Sequence, residues 1–380
     1  MARIYLDARN ITAQPAGVAR YALSLIPELV RQAPQHEFVV IRHASNRTPI
    51  EVAGHTLREV FIAPSIDDLY NFVFGARALH QVFGKFGAPD IYHDLFHIFP
   101  LGLRLAAPRA KIVVTLHDLV WIDHPHESQP TWLKAESIRA FASLAIPYSL
   151  KTADHVICIS EPTAERAAPW LTPECFSIIS HGVSDEFLCP TPAPNPAKLG
   201  LPGPDTPYIV AIGNAKPYKN LERLIDAFAR IRPTLAAGHL VLIGNCADLA
   251  EQVNDSEVAQ HITLAGILSD AALRSTLGHA TAFVFPSLVE GFGLPILEAM
   301  AMGVPTLVSD LEPMRTIAQD AALRFDPNHT GDVAQALREV LHDAQLRARL
   351  IRDGRARAAQ FTWPKTARAT LDVYARALAL

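Results

Sequence analysis

The sequence has 380 residues and a formal net charge of -4, with 49% hydrophobic and 19% charged residues. This length and composition are typical of a soluble α/β protein with about two domains and ample core. The slight acidic balance argues against a nucleic-acid partner, which usually requires an excess of basic residues.

Neither a secretory signal nor a membrane-spanning segment is indicated. The first residues lead straight into a predicted strand at Ile4–Leu6, and no apolar run reaches the roughly 20 residues that span a bilayer. The four cysteines lack the spacing of a CxxC pair or a metal site, as is typical of reduced cytosolic thiols. We therefore expect a cytoplasmic protein, with any membrane contact peripheral at the inner face.

The first half of the chain alternates predicted strands and helices. Pro27 predicts a kink or an early end of the first helix, and residues 43–68 carry no clear pattern. Strands are predicted at residues 4–6, 38–41, 90–93, 111–116, 154–159 and 177–179, and helices at 17–29, 71–86, 131–151 and after the N-cap Ser160.

The helix at 71–86 carries an aromatic stripe with two cations, and this stripe has two interpretations. It could be an interfacial face that touches lipid head groups or, as is commoner for such stripes, part of the core. The side chains concerned are Phe72, Phe74, Phe83 and Phe86, with Arg77 and Lys85.

Two residues of the first half stand where ligands often bind. His117 follows the strand 111–116, and open parallel sheets bind ligands outside the carboxyl ends of their strands. A hydrogen-bonded structural histidine is the alternative. Gly17 begins the first helix, whose N-terminus suits a phosphate or a sugar, although a plain turn is the alternative.

A segment dense in proline and glycine, Leu188–Pro207, is typical of an interdomain linker. Two Rossmann-like halves joined in this way imply a cleft between them. The lack of GxGxxG after the first strand, and of a P-loop, argues against an NAD dehydrogenase and a P-loop NTPase. In the second half, strands are predicted at 208–212, 239–243, 262–265, 283–285 and 304–308, and helices at 221–231, 270–278, 295–303, 330–355 and 364–380.

Two loops of the second half combine charge with a helix N-terminus, which is a natural anion site. Residues 213–220 carry two lysines ahead of one helix, as suits a diphosphate, although a solvated lysine pair is the alternative. Residues 290–293, EGFG, precede the helix that holds Glu298. Glu290 could reach a sugar hydroxyl and Glu298 a ribose hydroxyl, whereas an ordinary βαβ unit with surface glutamates is the alternative.

These motifs resemble the retaining glycosyltransferases of family 4. The similarity rests on E-x7-E at Glu290 and Glu298, on GNAKPYKN at 213–220 and on HGVSDEF at 181–187, and it covers nearly the whole chain. It implies an α/β protein with the GT-B fold, in which two Rossmann-like domains with parallel sheets face an interdomain cleft. The implied divisions are an acceptor-binding domain at 1–190, a proline-rich linker at 191–207, a nucleotide-sugar-binding domain at 208–363 and a final helix at 364–380 that crosses back to the first domain.

The resemblance also implies roles for residues at matching positions. Glu298 would bind the donor's ribose, Glu290 the hydroxyls of the transferred sugar, and Lys219 the departing diphosphate. Asn214 stands where many members have an arginine, so Lys216 is the candidate for the missing charge. The catalytic candidates are His117, Glu290 and Lys219, and the donor-binding candidates are Gly17, Gly213, Asn214, Lys216, Lys219, Glu290, Gly291, Phe292, Gly293, Leu294 and Glu298.

The activity that the resemblance implies is retaining hexosyl transfer from a nucleoside diphosphate sugar to a glycan or lipid-linked glycan, as in O-antigen synthesis. The GNxKPxKN form of the loop at 213–220 is similar to that of the mannosyl- and rhamnosyltransferases of bacterial surface polysaccharide synthesis, so mannose from GDP-mannose is the best match. We expect neither a metal nor a resident cofactor, because no Asp-x-Asp pair follows a strand and lysine with a helix dipole can stabilise the leaving diphosphate.

Three alternatives to this activity stay open. The first is a rhamnosyl- or glucosyltransferase that uses a dTDP- or UDP-sugar. The second is another GT-B enzyme, such as an epimerase or a phosphorylase. The third is a non-catalytic subunit that binds a nucleotide sugar.

Overall fold

The computed structural model describes residues 1–11, 17–63, 69–189, 195–202, 206–235 and 238–379. The chain divides into two compact units. Part of the predicted linker, residues 190–194 and 203–205, lies outside the described residues. Unit 1 consists of Met1–Pro125, Leu133–Gly182 and Trp363–Leu380, and unit 2 consists of His126–Trp132 and Val183–Thr362.

Strands and helices alternate through both units. The strands are β1 (Arg3–Asp7), β2 (Glu37–His43), β3 (Arg58–Ile62), β4 (Ile91–Asp94), β5 (Lys111–Leu116), β6 (His155–Cys158), β7 (Phe176–Ile178), β8 (Tyr208–Ile212), β9 (His239–Ile243), β10 (Ile262–Gly266), β11 (Ala282–Phe285), β12 (Thr306–Ser309) and β13 (Leu323–Phe325). The α-helices are α1 (Gly17–Gln32), α2 (Leu69–Phe86), α3 (Leu103–Ala106), α4 (Val120–Asp123), α5 (Pro125–Ser128), α6 (Trp132–Thr152), α7 (Glu161–Ala167), α8 (Asp185–Leu188), α9 (Leu221–Ile231), α10 (Ala250–Asp255), α11 (Asp270–Gly278), α12 (Leu294–Ala301), α13 (Met314–Ala318), α14 (Thr330–His342), α15 (Ala344–Ala358) and α16 (Trp363–Ala379).

Each unit is built on one parallel sheet. Within the described residues, the sheet of unit 1 has the order β3-β2-β1-β4-β5-β6-β7 and that of unit 2 the order β10-β9-β8-β11-β12-β13. In each sheet, the second and third strands along the chain are added on one side of the first strand, and all later strands are added on its other side. This is the doubly wound order of a Rossmann sheet. The direction reverses between β1 and β4 in unit 1 and between β8 and β11 in unit 2. The expected α/β fold class is therefore confirmed for each unit.

The sheet of unit 1 is covered on both faces. Tyr5, Tyr92 and Val114 lie in the core cluster together with residues of α2, α3 and α6. On the opposite face, α16 packs against α1 and also contacts β5 and β6. Because both faces are buried, these strands are nearly continuous apolar runs, as parallel sheets usually are.

The aromatic stripe of α2 is divided between core and surface. Phe72 and Phe83 are buried in the core of unit 1, and Phe86 packs against it partly buried. Phe74 is exposed. The lipid-facing interpretation is thus wrong for Phe72 and Phe83, whose burial follows from the contact of α2 with the sheet.

The first helix does not end early at Pro27. It continues to Gln32, and Leu25, Ile26 and Leu29 on either side of the proline are fully buried. Packing of this apolar face outweighs the one backbone hydrogen bond that proline removes.

The single helix predicted at 330–355 is in fact two helices. Asp343, with φ -97° and ψ 99°, separates α14 from α15, and its carboxylate accepts a hydrogen bond from the N–H of Leu346. An aspartate in extended backbone at this position is a favourable N-cap. Within 43–68, where no element was predicted, β3 pairs in parallel with β2.

Gly244, directly after β9, sets how closely two loops of unit 2 approach each other. Its φ is 120°, and a Cβ there would lie 1.8 Å from the carbonyl oxygen of Gly213. The backbone conformation and the close contact both require glycine at this position.

Gly244→Ala should lower the free energy of unfolding by at least about 2 kcal/mol, because it adds backbone strain and a steric overlap. Urea titration measures this change. Gly331→Ala in α14 is the matched control, since a Cβ there has nothing within 4 Å; that variant should be at least as stable as the wild type. Wild-type stability of Gly244→Ala would contradict the tight approach to Gly213.

Candidate functional site

The candidate site of unit 2 lies where the strand order of its sheet reverses. The chain leaves β8 through residues 213–220 and leaves the adjacent strand β11 through residues 286–293. Parallel strands end at one edge, so both loops lie outside the carboxyl ends, where doubly wound folds bind ligands. The N–H of Leu288 donates to the carbonyl of Tyr218 over 2.8 Å, which links the loops directly.

Lys219 and Glu290 form an ion pair across these two loops. Nζ of Lys219 lies 2.6 Å from Oε1 of Glu290, and the side chains are only 15% and 13% exposed. The ammonium also lies 5.1 Å from the ring centroid of Tyr218 and 5.7 Å from that of Phe285. Because little water reaches the pair, its attraction is stronger than that of a surface ion pair.

The helix α12 begins at Leu294, four residues after Glu290. Gly293 is the N-cap, with φ 114°, and as a glycine it has no side chain to cap the first turn. A Cβ on Gly293 would lie 2.9 Å from Cδ1 of Ile296, so conformation and space both favour glycine. The start of α12 therefore presents backbone donors and a positive dipole end beside the ion pair. Phe292 is buried and packs edge-on against Phe361.

Glu298 lies in the second turn of α12 and is 5% exposed. The helix around it is buried as well, and it packs against α15. Carboxylates are almost never buried to this extent unless they have a partner. The two glutamates of the E-x7-E motif thus occupy different environments, with Glu290 in the ion pair and Glu298 inside the helix packing.

The rest of the loop after β8 is held by hydrogen bonds from its backbone N–H groups. The N–H of Gly213 donates to the carbonyl of Ile243, and Oδ1 of Asn214 accepts from the N–H of Lys216 over 3.1 Å. Lys216 is exposed. Unit 2 therefore brings the candidates Gly213, Asn214, Lys216, Lys219, Glu290, Gly291, Phe292, Gly293, Leu294 and Glu298 to one edge of its sheet.

His117 follows β5 in unit 1 and is 2% exposed. Its Nε2 lies 2.9 Å from the carbonyl oxygen of Leu95. A carbonyl only accepts, so Nε2 carries the proton and Nδ1 keeps a lone pair. Burial, together with the nearby His97, lowers the pKa of His117 to about 4. His117 is therefore neutral at neutral pH and can accept a hydrogen bond from a ligand hydroxyl at Nδ1.

His117 belongs to a group of buried rings that the sequence analysis did not single out. Its ring centroid lies 4.9 Å from that of Tyr21, 5.6 Å from that of His181 and 6.3 Å from that of His97. The sequence position of the histidines could have identified this group, because they occur at or just after the carboxyl ends of β4, β5 and β7. His93, at the end of β4, bonds to Tyr374 of α16 over 2.6 Å and to Thr115 over 2.8 Å.

Gly17 is the first residue of α1 and is exposed. The loop before it, residues 12–16, lies outside the described residues. Gly17 and His117 belong to unit 1, whereas the other candidates belong to unit 2.

Among the residues that the structure describes, one group has ligand atoms close enough to hold a metal ion. Asp326, His329 and Asp332 offer ligand atoms within 4.8 Å of one another. His329 and Asp332 are exposed, and Nδ1 of His329 lies 2.9 Å from the carboxylate of Asp326. Such surface groups are common without an ion, so they identify no metal centre. In the part of the chain that the structure describes, no helix is long and apolar enough to cross a membrane.

Two family models match the chain. "Glycosyltransferase Family 4" matches residues 15–187, and "Glycosyl transferases group 1" matches residues 196–357. The O-antigen chain mannosyltransferase B of Escherichia coli is 32% identical over 383 aligned residues, which cover 94% of this chain and 95% of that protein.

Solved structures with the same fold cover essentially the whole chain. Sucrose-phosphate synthase from Thermosynechococcus elongatus superposes with a TM-score of 0.78 at 19% identity, over 100% of both chains. Anabaena Alr3699/HepE in complex with UDP and glucose superposes with a TM-score of 0.74 at 15% identity, over 99% of this chain and 100% of that chain. These likenesses confirm the GT-B fold class.

The buried histidines of unit 1 should make the protein less stable below about pH 6.5. Burial lowers the pKa of His93 and of His97 to about 3 and contributes most to the value of about 4 for His117. As the pH falls from 6.5 toward 4, the unfolded chain binds protons that the folded chain cannot, so the free energy of unfolding decreases. Each such histidine contributes up to about 1.4 kcal/mol per pH unit.

Urea titrations at several pH values measure this slope, and His93→Gln should make it shallower. Thr115→Val is the matched control, because it removes a hydrogen-bond partner of His93 but no titrating group. It should lower stability by a similar amount at every pH in this range. An unchanged slope in His93→Gln would contradict the buried, neutral state of that ring.

Proposed function

This chain belongs to glycosyltransferase family 4, and on that premise we propose that it transfers mannose from GDP-mannose to a glycan or lipid-linked glycan, with retention of anomeric configuration. The choice of mannose rests on the similarity to an O-antigen chain mannosyltransferase. The choice of GDP rests on the form of the loop at 213–220. The ion pair of Lys219 and Glu290 carries the proposal, because it offers a cation to a diphosphate and a carboxylate to a sugar.

The diphosphate of the donor would bind at the start of α12. A helix N-terminus attracts anions through its backbone donors and its dipole, and Nζ of Lys219 adds a full positive charge beside it. The N–H groups of residues 292–294 would contact the phosphate oxygens, with Asn214 and Lys216 at the other loop. Binding would draw Lys219 from Glu290 to the phosphates and leave Glu290 to accept hydrogen bonds from sugar hydroxyls.

Glu298 would accept hydrogen bonds from the ribose hydroxyls. A buried carboxylate forms stronger hydrogen bonds than an exposed one, because water does not compete for its oxygens. The glycines Gly17, Gly213 and Gly291 would let the backbone come close to the donor, since they have no side chain to hold it away.

The reaction would rely on charge stabilisation without a metal ion. As the sugar leaves through an oxocarbenium-like transition state, negative charge builds on the diphosphate, where Lys219 and the dipole of α12 stabilise it. The acceptor hydroxyl forms the new bond on the face that the leaving group occupied, and a phosphate oxygen of the leaving group takes its proton. Neutral His117 would accept a hydrogen bond at Nδ1 from a hydroxyl of the transferred sugar.

Substitutions should separate donor binding from turnover. Glu298→Ala and Lys219→Ala should weaken GDP-mannose binding by about tenfold or more, because each removes a charged hydrogen-bonding group. His117→Ala should mainly lower kcat, again by about tenfold or more. Isothermal titration calorimetry measures the first effect, and GDP release with a glycan acceptor measures the second.

Glu339→Ala, an exposed position on α14, is the matched control for loss of a glutamate and should behave as the wild type. Unchanged donor affinity in Glu298→Ala would refute the ribose role. Equal affinity for GDP-, UDP-, dTDP- and ADP-sugars would refute the donor assignment. Tight donor binding without turnover on any acceptor would favour the non-catalytic alternative.

We also propose that α2 of unit 1 contacts an anionic membrane surface peripherally at the inner face. One face of the helix exposes Leu69, Tyr70, Val73 and Phe74 to solvent. The helix also carries Arg77 and Lys85 and no acidic residue, although the whole chain is acidic. Apolar side chains beside cations favour the interface of anionic lipids, where a lipid-linked acceptor is available.

The double substitution Leu69→Ser with Phe74→Ser should reduce binding to vesicles of phosphatidylcholine and phosphatidylglycerol by about tenfold or more, because it removes two inserting apolar side chains. Vesicle co-sedimentation measures this binding. Transfer to a water-soluble acceptor should stay unchanged. Leu378→Ser, an exposed position on α16, is the control. Equal vesicle binding by the double variant and the wild type would rule out this face.

A further inference from the structure

Asn220 occupies an unusual position between Lys219 and the helix α9. It is buried, and its backbone is left-handed, with φ 56° and ψ 28°. It is also the N-cap of α9, a position where asparagine normally accepts a hydrogen bond from the first turn. Here the side chain makes no such bond.

The side-chain amide of Asn220 instead joins three loops at the carboxyl edge of the sheet. Its Nδ2 donates to the carbonyl of Pro286 over 3.1 Å and to the carbonyl of Pro327 over 2.9 Å. Pro286 begins the loop that carries Glu290, and Pro327 lies in the loop that follows β13. Each of the two N–H groups of the side-chain amide therefore donates one hydrogen bond.

Arg223, in the first turn of α9, completes this arrangement. Its guanidinium donates to Oδ1 of Asn220 over 2.8 Å and to the carbonyl of Pro327 over 2.8 Å. The amide of Asn220 is thereby oriented, since its oxygen faces a donor and its nitrogen faces two acceptors. Aspartate could not replace it, because its oxygens would face the two carbonyls.

We propose that Asn220 is a positioning residue for the reaction. By joining the two loops that carry Lys219 and Glu290, it fixes the position of these side chains relative to each other. It is adjacent to Lys219 in the chain, and through Pro286 it anchors the start of the loop that carries Glu290. The 2.6 Å contact between Lys219 and Glu290 is thus supported by a neutral amide that joins the two loops. The inference rests on the proposed function for its consequence in catalysis, but its structural part is independent of the donor.

Asn220→Gly is the decisive variant, because glycine keeps the left-handed backbone and removes only the amide. The amide of Leu288, which bonds to Tyr218 across the two loops, should exchange hydrogen about tenfold faster or more, as measured by mass spectrometry. The preference for GDP over GMP should fall by about tenfold, because Lys219 and the start of α12 act on the diphosphate. Calorimetry with these two nucleotides measures the preference.

Asn328→Gly is the matched control. It removes an exposed asparagine from the same loop as Pro327, and it should leave both the exchange of Leu288 and the nucleotide preference unchanged. Arg223→Met should shift both quantities in the same direction as Asn220→Gly, since the amide loses its orienting donor. This variant also serves as the test should Asn220→Gly not fold.

The outcomes separate this inference from the proposed function. Unchanged exchange of Leu288 in Asn220→Gly and Arg223→Met would overturn the positioning role and reduce Asn220 to a residue that tolerates a left-handed backbone. Faster exchange together with no binding of GDP by the wild-type protein would support the role of Asn220 and refute the donor assignment. Faster exchange with an unaltered preference for GDP would overturn the link to Lys219.

Discussion

All strands of a parallel sheet have their carboxyl ends at the same edge, and the candidate site depends on this constraint. Lys219 and Glu290 lie 71 positions apart in the chain and meet at 2.6 Å. They meet because β8 and β11 are neighbours at the point where the strand order of unit 2 reverses. The start of α12 lies beside the ion pair because it follows Glu290 by four residues, and the left-handed Gly293 begins that helix. Gly244 lets the loop after β9 approach Gly213 closely.

The same constraint produces a different environment in unit 1. Here the carboxyl ends of the strands bring several histidines together, and burial keeps these rings neutral. A neutral imidazole with its proton fixed on one nitrogen is a directional acceptor. The lysine and carboxylates of unit 2 are suited to a charged diphosphate and to polyol groups. The two units thus share a topology and differ in the chemistry at their edges.

Much of the fold follows from local pattern. The strands β5, β8 and β9 and the helices α9 and α11 have the bounds predicted for them, because their apolar periodicity is strong and turn or capping residues limit it. Two of the errors lie where long-range packing decides. Residues 43–68 contain β3, which is stabilised by pairing with β2, and α1 passes through Pro27 because its buried face is continuous. Family membership, predicted from three motifs, is confirmed, whereas the roles of individual site residues stay predictions.

The sequence by itself determined the alternation of elements, the E-x7-E motif with its flanking glycines, and the family. These are local properties, in which a few neighbouring residues set the backbone conformation or a recognisable spacing. The tertiary structure alone decided that Lys219 pairs with Glu290, that Leu95 fixes the tautomer of His117, and that Asn220 bonds to two other loops instead of capping its helix. Each of these contacts joins residues whose distance is set by strand order and packing, which no local pattern encodes.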